Sequence, residues 1–174
     1  MMLSIDNLFF RRPIQQDAEV LLRLKNNRKA SYLLGGSHGD YSPDEINEWI
    51  DFHNNKPNEL LLVIEDQHTG TIIGHIGLYD IDIVSKKTEL GILIADDNYR
   101  GKGYGSKSTQ LMVNYAFESL GMHKVTAEVL SENIASIAMF KKCGFSIDGR
   151  LRDHVFKNGR YYDVLSMSIL ENER

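Results

Sequence analysis

Apolar residues recur at helical spacing in four stretches of the chain and at strand-like spacing in seven. Residues 8–12 read as a first strand, stopped by Pro13, which lacks the donor a central strand needs. Residues 17–24 then predict a helix with Asp17 near its start and Ala18, Val20, Leu21, Leu22 and Leu24 as its apolar positions. Residues 32–36 and the polar residues after them read as a loop or a short helix. At Ser42-Pro43-Asp44-Glu45 a second helix begins: Ser42 as N-cap, Pro43 in the first position and Glu45 reaching back in a capping box. Its apolar face is Ile46, Trp49, Ile50 and Phe52.

From Glu59 the period changes. Residues 60–65, 71–79 and 87–95 are β-rich runs, the first two joined through Asp66-Gln67-His68-Thr69-Gly70, which is hairpin chemistry. They predict three consecutive antiparallel strands at the centre of a sheet. Residues 106–120 return to helical spacing and end at Gly121. Residues 124–130 predict a strand with Val125, Ala127 and Val129 on one face. Residues 133–142 predict a short helix that offers Ile134, Ile137, Ala138 and Met139 to the core and ends at Gly144. Two last runs, 145–156 and 160–170, meet at Asn158-Gly159, the strongest short hairpin signal.

This order, β, α, α, three strands, then αβαββ, predicts an α+β fold with a mixed, mainly antiparallel sheet of about seven strands and helices on both faces. With 174 residues and no visible linker or repeat, one domain spanning residues 1–174 is expected. The formal net charge of −4 disfavours nucleic-acid binding driven by bulk electrostatics. No apolar run approaches the roughly 20 residues that span a bilayer. The N-terminus lacks the layout of a secretion signal, and the single cysteine, Cys143, reads as buried and structural. A cytoplasmic protein without membrane or nucleic-acid partners is therefore expected.

The chemistry concentrates in Arg100-Gly101-Lys102-Gly103-Tyr104-Gly105, between an apolar strand and a helix start. Unpartnered N–H groups and the peptide dipoles make such a start suited to an anionic oxygen, and glycine lets a phosphate approach the backbone. A nucleoside-triphosphate loop needs Lys followed by Ser or Thr after the last glycine, and here Lys102 precedes Gly103. A dinucleotide fingerprint needs Gly or Ala where Ser106 stands, and a βαβ unit near the first strand.

The hexapeptide resembles the Arg/Gln-x-x-Gly-x-Gly/Ala signature of the GNAT superfamily of N-acetyltransferases. Residues 133–145, from Asn133 through Ser136, Phe140 and Lys142 to Gly144-Phe145, resemble the same family's Asn-x-x-Ser-x-x-x-Tyr-x-Lys-x-Gly-Phe segment. Thr88-Glu89-Leu90-Gly91 and the stretch 151–164 resemble the branch of ribosomal-protein, spermidine and amino-sugar acetyltransferases.

The resemblance implies an acetyl-CoA-dependent N-acetyltransferase that needs no metal and acts by direct transfer. Its acceptor would be a small-molecule primary amine, such as a polyamine or amino sugar, or a protein N-terminus. Ile92, Leu93 and Ile94 would offer backbone groups to the pantetheine arm, and Arg100, Gly101, Lys102, Gly103, Tyr104 and Gly105 would cradle the pyrophosphate, with Lys107 near CoA phosphates. Asn133, Ser136 and Phe140 would complete the cofactor set, Asn133 also serving as an N-cap. The backbone N–H of Leu93 or Ile94 would face the oxyanion. Because an alkylamine is protonated at neutral pH, some group must take a proton, and Glu89 is the first candidate, with His75 and His154 as substitutes. Asp40, Asp80 and Asp82 would suit a cationic acceptor. Tyr79, Tyr161 and Tyr162 would stack on a sugar or fill the core.

Where many relatives have a tyrosine that serves as general acid, this chain has Phe140. Water or Tyr104 would then protonate the thiolate, and the second reading of the chain is a non-catalytic acyl-CoA-binding or sensory module. Pairing between edge strands makes the branch compatible with a homodimer.

Overall fold

Leu60 through Ile64 are all buried, so alternate side chains leave the strand in opposite directions and each face needs its own covering layer. The computed structural model, which describes residues 2–32, 34 and 40–174, supplies both layers. Eight strands form the sheet: β1 (Met2–Ile5), β2 (Leu8–Arg11), β3 (Leu60–Asp66), β4 (Thr71–Asp82), β5 (Lys87–Ile94), β6 (Lys124–Leu130), β7 (Ser146–Lys157) and β8 (Arg160–Leu170). Their spatial order is β1-β2-β3-β4-β5-β6-β8-β7, and every neighbouring pair is antiparallel except β5 with β6. The helices are α1 (Ala18–Lys25), the single turn α2 (Arg28–Ser31), α3 (Pro43–Asn55), α4 (Tyr104–Glu118) and α5 (Ile134–Lys142).

On one face Leu62, Ile64, Leu90, Val125, Ala127 and Val129 pack against Met112, Val113, Ala116 and Phe117 of α4 and Phe140 of α5. On the other, Val63, Ile72 and Leu93 pack against Leu21 and Leu24 of α1 and Ile46 and Ile50 of α3. The expected α+β architecture with helices on both faces is thus the one found. The capping box at α3 is also made: Ser42 Oγ accepts from the N–H of Glu45, and the Glu45 carboxylate accepts from the N–H of Ser42 at 2.7 Å.

Three details differ from the pattern-based reading. The sheet has an eighth strand, Met2–Ile5, whose alternation of exposed and half-buried residues is too short to stand out before it pairs with β2. Phe52 is exposed on the outer side of α3, because only the Ile46 and Ile50 side meets the sheet. Ile134 is 69% exposed and Ala138 also faces outward, since the nine-residue α5 docks through Ile137, Met139 and Phe140. Leu33, Gly35 and Gly36, expected in a loop or short helix, lie outside the described residues. Cys143 is buried and its thiol is pushed up, chiefly by desolvation, as suits a structural cysteine. Among the described residues no helix is long and apolar enough to cross a membrane.

Candidate active site

The one parallel pair in the sheet is short. Lys87, Thr88 and Glu89 pair with Lys124, Val125 and Thr126, yet β5 continues to Ile94 and β6 to Leu130. Beyond Glu89 the two strands part, and among the described residues the edge of β5 that faces β6 has no ladder partner there. A cavity of about 310 Å³ opens at this wedge. Ile92, Leu93 and Ile94 form one wall, Asn133, Ser136, Met139 and Lys142 another, and Arg100, Gly101, Gly103 and Gly105 the end.

The glycine turn has the backbone its sequence requires. Gly101 has φ +72° and Gly103 φ +86°, and a Cβ built on either would meet nothing within 4 Å. Glycine is needed there for the left-handed conformation, not to relieve crowding. Gly103 is the N-cap of α4, so the first free N–H groups of a fifteen-residue helix face this end of the cavity. Asn133 caps α5, its side-chain oxygen accepting from the N–H of Ser136 at 3.1 Å, and it also lines the cavity.

Not every residue expected here lines the cavity. Lys102, Tyr104 and Phe140 are not among the lining residues. Tyr104 packs its ring against Tyr99 at 5.4 Å, and Phe140 is buried edge-on against Phe145 at 4.9 Å. Lys107 is held by the Asp6 carboxylate at 2.7 Å, on the β1–β2 turn. Residues outside the expected cofactor set also line it: Tyr99, Ser106, Met139 and Lys142, with Ala30 and Leu34 arriving from beyond α1. Lys142 carried a signal, since it occupies the lysine position of the second motif. Ala30 and Leu34 carried none.

The opposite face of the wedge is acidic. Glu89 lies across from Tyr79 on β4, whose ring covers Gly77 and Gly91 so closely that a Cβ on Gly77 would sit 2.7 Å from it. Half-buried, Glu89 has its carboxyl pushed above the usual range, first by desolvation and then by the charges of Glu128 and Asp80. His154, on the bulged part of β7, places Nε2 4.0 Å from Glu128. Of the other expected acids, Asp82 accepts from the N–H groups of Val84 and Ser85 and so shapes the β4–β5 turn, while Asp40 pairs with Arg28 at 3.3 Å. His75 lies edge-on to Trp49, and among the described residues neither of its buried ring nitrogens has a partner. Desolvation, with Lys25 and His53 adding to it, lowers its pKa to about 3. A histidine kept neutral in this way is unsuited to receiving a proton from an acceptor. Tyr162 is buried with its hydroxyl 3.3 Å from that of Tyr32, and Tyr161 is exposed against Phe156.

A glycine turn at a helix start, an unpaired strand edge and a carboxylate at the point of parting together suit transfer of an acyl group from a phosphate-bearing carrier. Residues 7–146 match the sequence profile of the acetyltransferase (GNAT) domain. The chain belongs to the GNAT acetyltransferase family. It is 31% identical to the spermidine N(1)-acetyltransferase of Vibrio cholerae serotype O1 over 158 residues, which cover 90% of this chain and 89% of the relative. With the spermidine N(1)-acetyltransferase of Escherichia coli K12 it shares 30% identity over 93% of this chain and 86% of that one. The crystal structure of the Vibrio cholerae spermidine N-acetyltransferase with CoA and spermine superposes with a TM-score of 0.87 at 29% identity, covering 96% and 97% of the two chains. This GNAT chain is accordingly an acetyl-CoA-dependent N-acetyltransferase with an amine as acceptor, and not a bare binding module.

Proposed function

We propose that this acetyltransferase works as one domain and acetylates a polyamine by direct transfer, with acetyl-CoA in the β5–β6 wedge and the amine reaching Glu89 from the α1–α3 side of the sheet. The observation that carries the reading is the parting of β5 from β6 directly after Glu89, which leaves an open strand edge and a half-buried carboxylate at one point. The edge from Ile92 to Ile94 receives the extended pantetheine arm as a sheet would receive a strand. The turn from Gly101 to Gly105 and the start of α4 hold the pyrophosphate through backbone N–H groups. Asn133 fits the arm's amide, and Lys142 adds a positive charge at the wall.

Acetyl-CoA supplies an activated thioester, so the chain's own task is to deliver a neutral amine. The acceptor arrives as an ammonium ion with a pKa of about 10, and Glu89 takes its proton. A carboxylate whose pKa is raised is a stronger base than an ordinary one, which makes the desolvation of Glu89 useful here. Because the N–H of Ala95 donates to Ile73 on β4, the alternation of an antiparallel ladder turns the N–H of Ile94 toward the wedge, where an oxyanion would form. The leaving thiolate, from a thiol of pKa about 8.5, departs without a tyrosine at position 140. Polyamines suit the acceptor side because Glu89, Glu128 and Asp80 concentrate negative charge there, in keeping with the two spermidine acetyltransferases to which the chain is similar.

Release of free CoA thiol tests this across spermidine, spermine, an amino-sugar nucleotide and an alanyl peptide. Turnover with the polyamines well above the other two is expected, and turnover only with the peptide or the sugar overturns the polyamine reading. A homodimer through the open edge of β7 belongs to the same reading, and sedimentation velocity gives the mass that tests it.

A further inference from the structure

We propose that Glu128 holds a second, non-reacting ammonium of the acceptor, so that the enzyme selects amines carrying two or more positive charges; this rests on the polyamine reading above. Val125, Ala127 and Val129 point from β6 into the α4 side of the core, so Glu128 points to the acceptor side, where it is partly exposed. Glu89 is level with Thr126, the last residue of β6 that pairs with β5, and Glu128 is two residues farther along the same face. Strand geometry then separates the two carboxylate-bearing positions by about 8 Å, from a rise of about 3.3 Å per residue and an interstrand spacing of about 4.8 Å, and the parting of the strands widens this. The span suits two nitrogens of one alkylamine chain.

The charge environment agrees with the spacing. Two other acids on the last strands and their approach are already matched: Asp163 lies 2.6 Å from Arg150, and Glu132 lies 2.9 Å from Arg160. Among the described residues no lysine or arginine forms an ion pair with Glu128, whose one ion-pair contact is His154 at the outer limit of 4.0 Å. The charge of Glu128 disfavours ionisation of Glu89, a repulsion that a dication bridging them removes and a monocation removes only in part. A carboxylate unmatched by lysine or arginine one strand away from the base therefore acts chiefly on specificity, and does not itself take the acceptor's proton.

The test compares 1,4-diaminobutane, spermidine and butylamine as acceptors for the wild-type enzyme, Glu128→Gln and Glu128→Asp, with kcat and KM measured separately. In Glu128→Gln, KM for the diamine and for spermidine should rise about tenfold or more, as for loss of a charge-assisted hydrogen bond, with kcat nearly unchanged. KM for butylamine should stay the same, and Glu128→Asp should recover most of the affinity. Equal effects on the diamine and on butylamine, or a loss confined to kcat, overturn the role of Glu128 while the polyamine reading stands. A wild-type enzyme that turns over neither the diamine nor spermidine overturns both.

Discussion

The two sides of the β5–β6 wedge are built from different material. The cofactor side relies on main chain: the edge of β5, the left-handed Gly101 and Gly103, the first turn of α4 and the N-cap of α5. The acceptor side relies on side chains that four strands bring together, Tyr79 and Asp80 from β4, Glu89 from β5, Glu128 from β6 and His154 from β7. A site made of backbone groups presents the same surface whichever amine is to be acetylated. A site made of side chains sets the charge and spacing that an acceptor must match. In the proposed arrangement, then, the backbone side of the cleft answers to the shared acetyl donor and the side-chain side to the individual acceptor.

Substitutions on either side sharpen this division. The largest effect is expected for Glu89→Gln, which removes the proposed base. Turnover measured by thiol release should fall by about 10²- to 10⁴-fold, as for loss of a general base, while CoA binding by calorimetry stays within twofold. Gly103→Ala is its counterpart on the cofactor side. At φ +86° a Cβ costs roughly 1–2 kcal/mol. Acetyl-CoA affinity should weaken by about tenfold and the acceptor KM should not move.

A third prediction concerns the layer beneath the acceptor side. The folded-state pKa of His75, about 3, lies below its ordinary 6.5, so between these values the unfolded chain takes a proton that the folded chain refuses. Stability from this residue is complete above pH 6.5 and is lost as pH falls toward 3. Thermal melting of His75→Leu should lose that acid dependence. The smallest effect is on rate. Glu128 raises the pKa of Glu89, so the acid limb of kcat/KM should lie above the ordinary carboxylate range and shift to lower pH in Glu128→Gln. An unshifted limb in that variant would separate the two carboxylates.

The contrast in material also decides how much was legible from the chain. Gly101, Gly103 and Asn133 were readable because a left-handed turn and an N-cap each need particular residue types at short spacing. The central antiparallel strands, the capping box of α3 and the Asn158-Gly159 hairpin were readable for the same reason, and Asn158 and Gly159 both have positive φ. Glu89 was readable as a candidate because it adjoins the cofactor strand. By contrast, Lys107 beside a helix start looked suited to phosphate, and a strand too short to notice brought Asp6 to it.

The sequence by itself determined most of the elements, their order and the left-handed glycine turn, since propensity, capping and backbone sterics act over a few residues. Only the tertiary structure decided where β5 and β6 part, that His75 is held neutral, that Phe140 belongs to the core, and that Glu128 and Asp80 stand near Glu89. These outcomes depend on burial and on charges from distant segments. Both arise only when the sheet closes against its two helical layers, because the fall in local dielectric that shifts a pKa and the register that aligns two strands belong to the packed sheet and to no single stretch of chain.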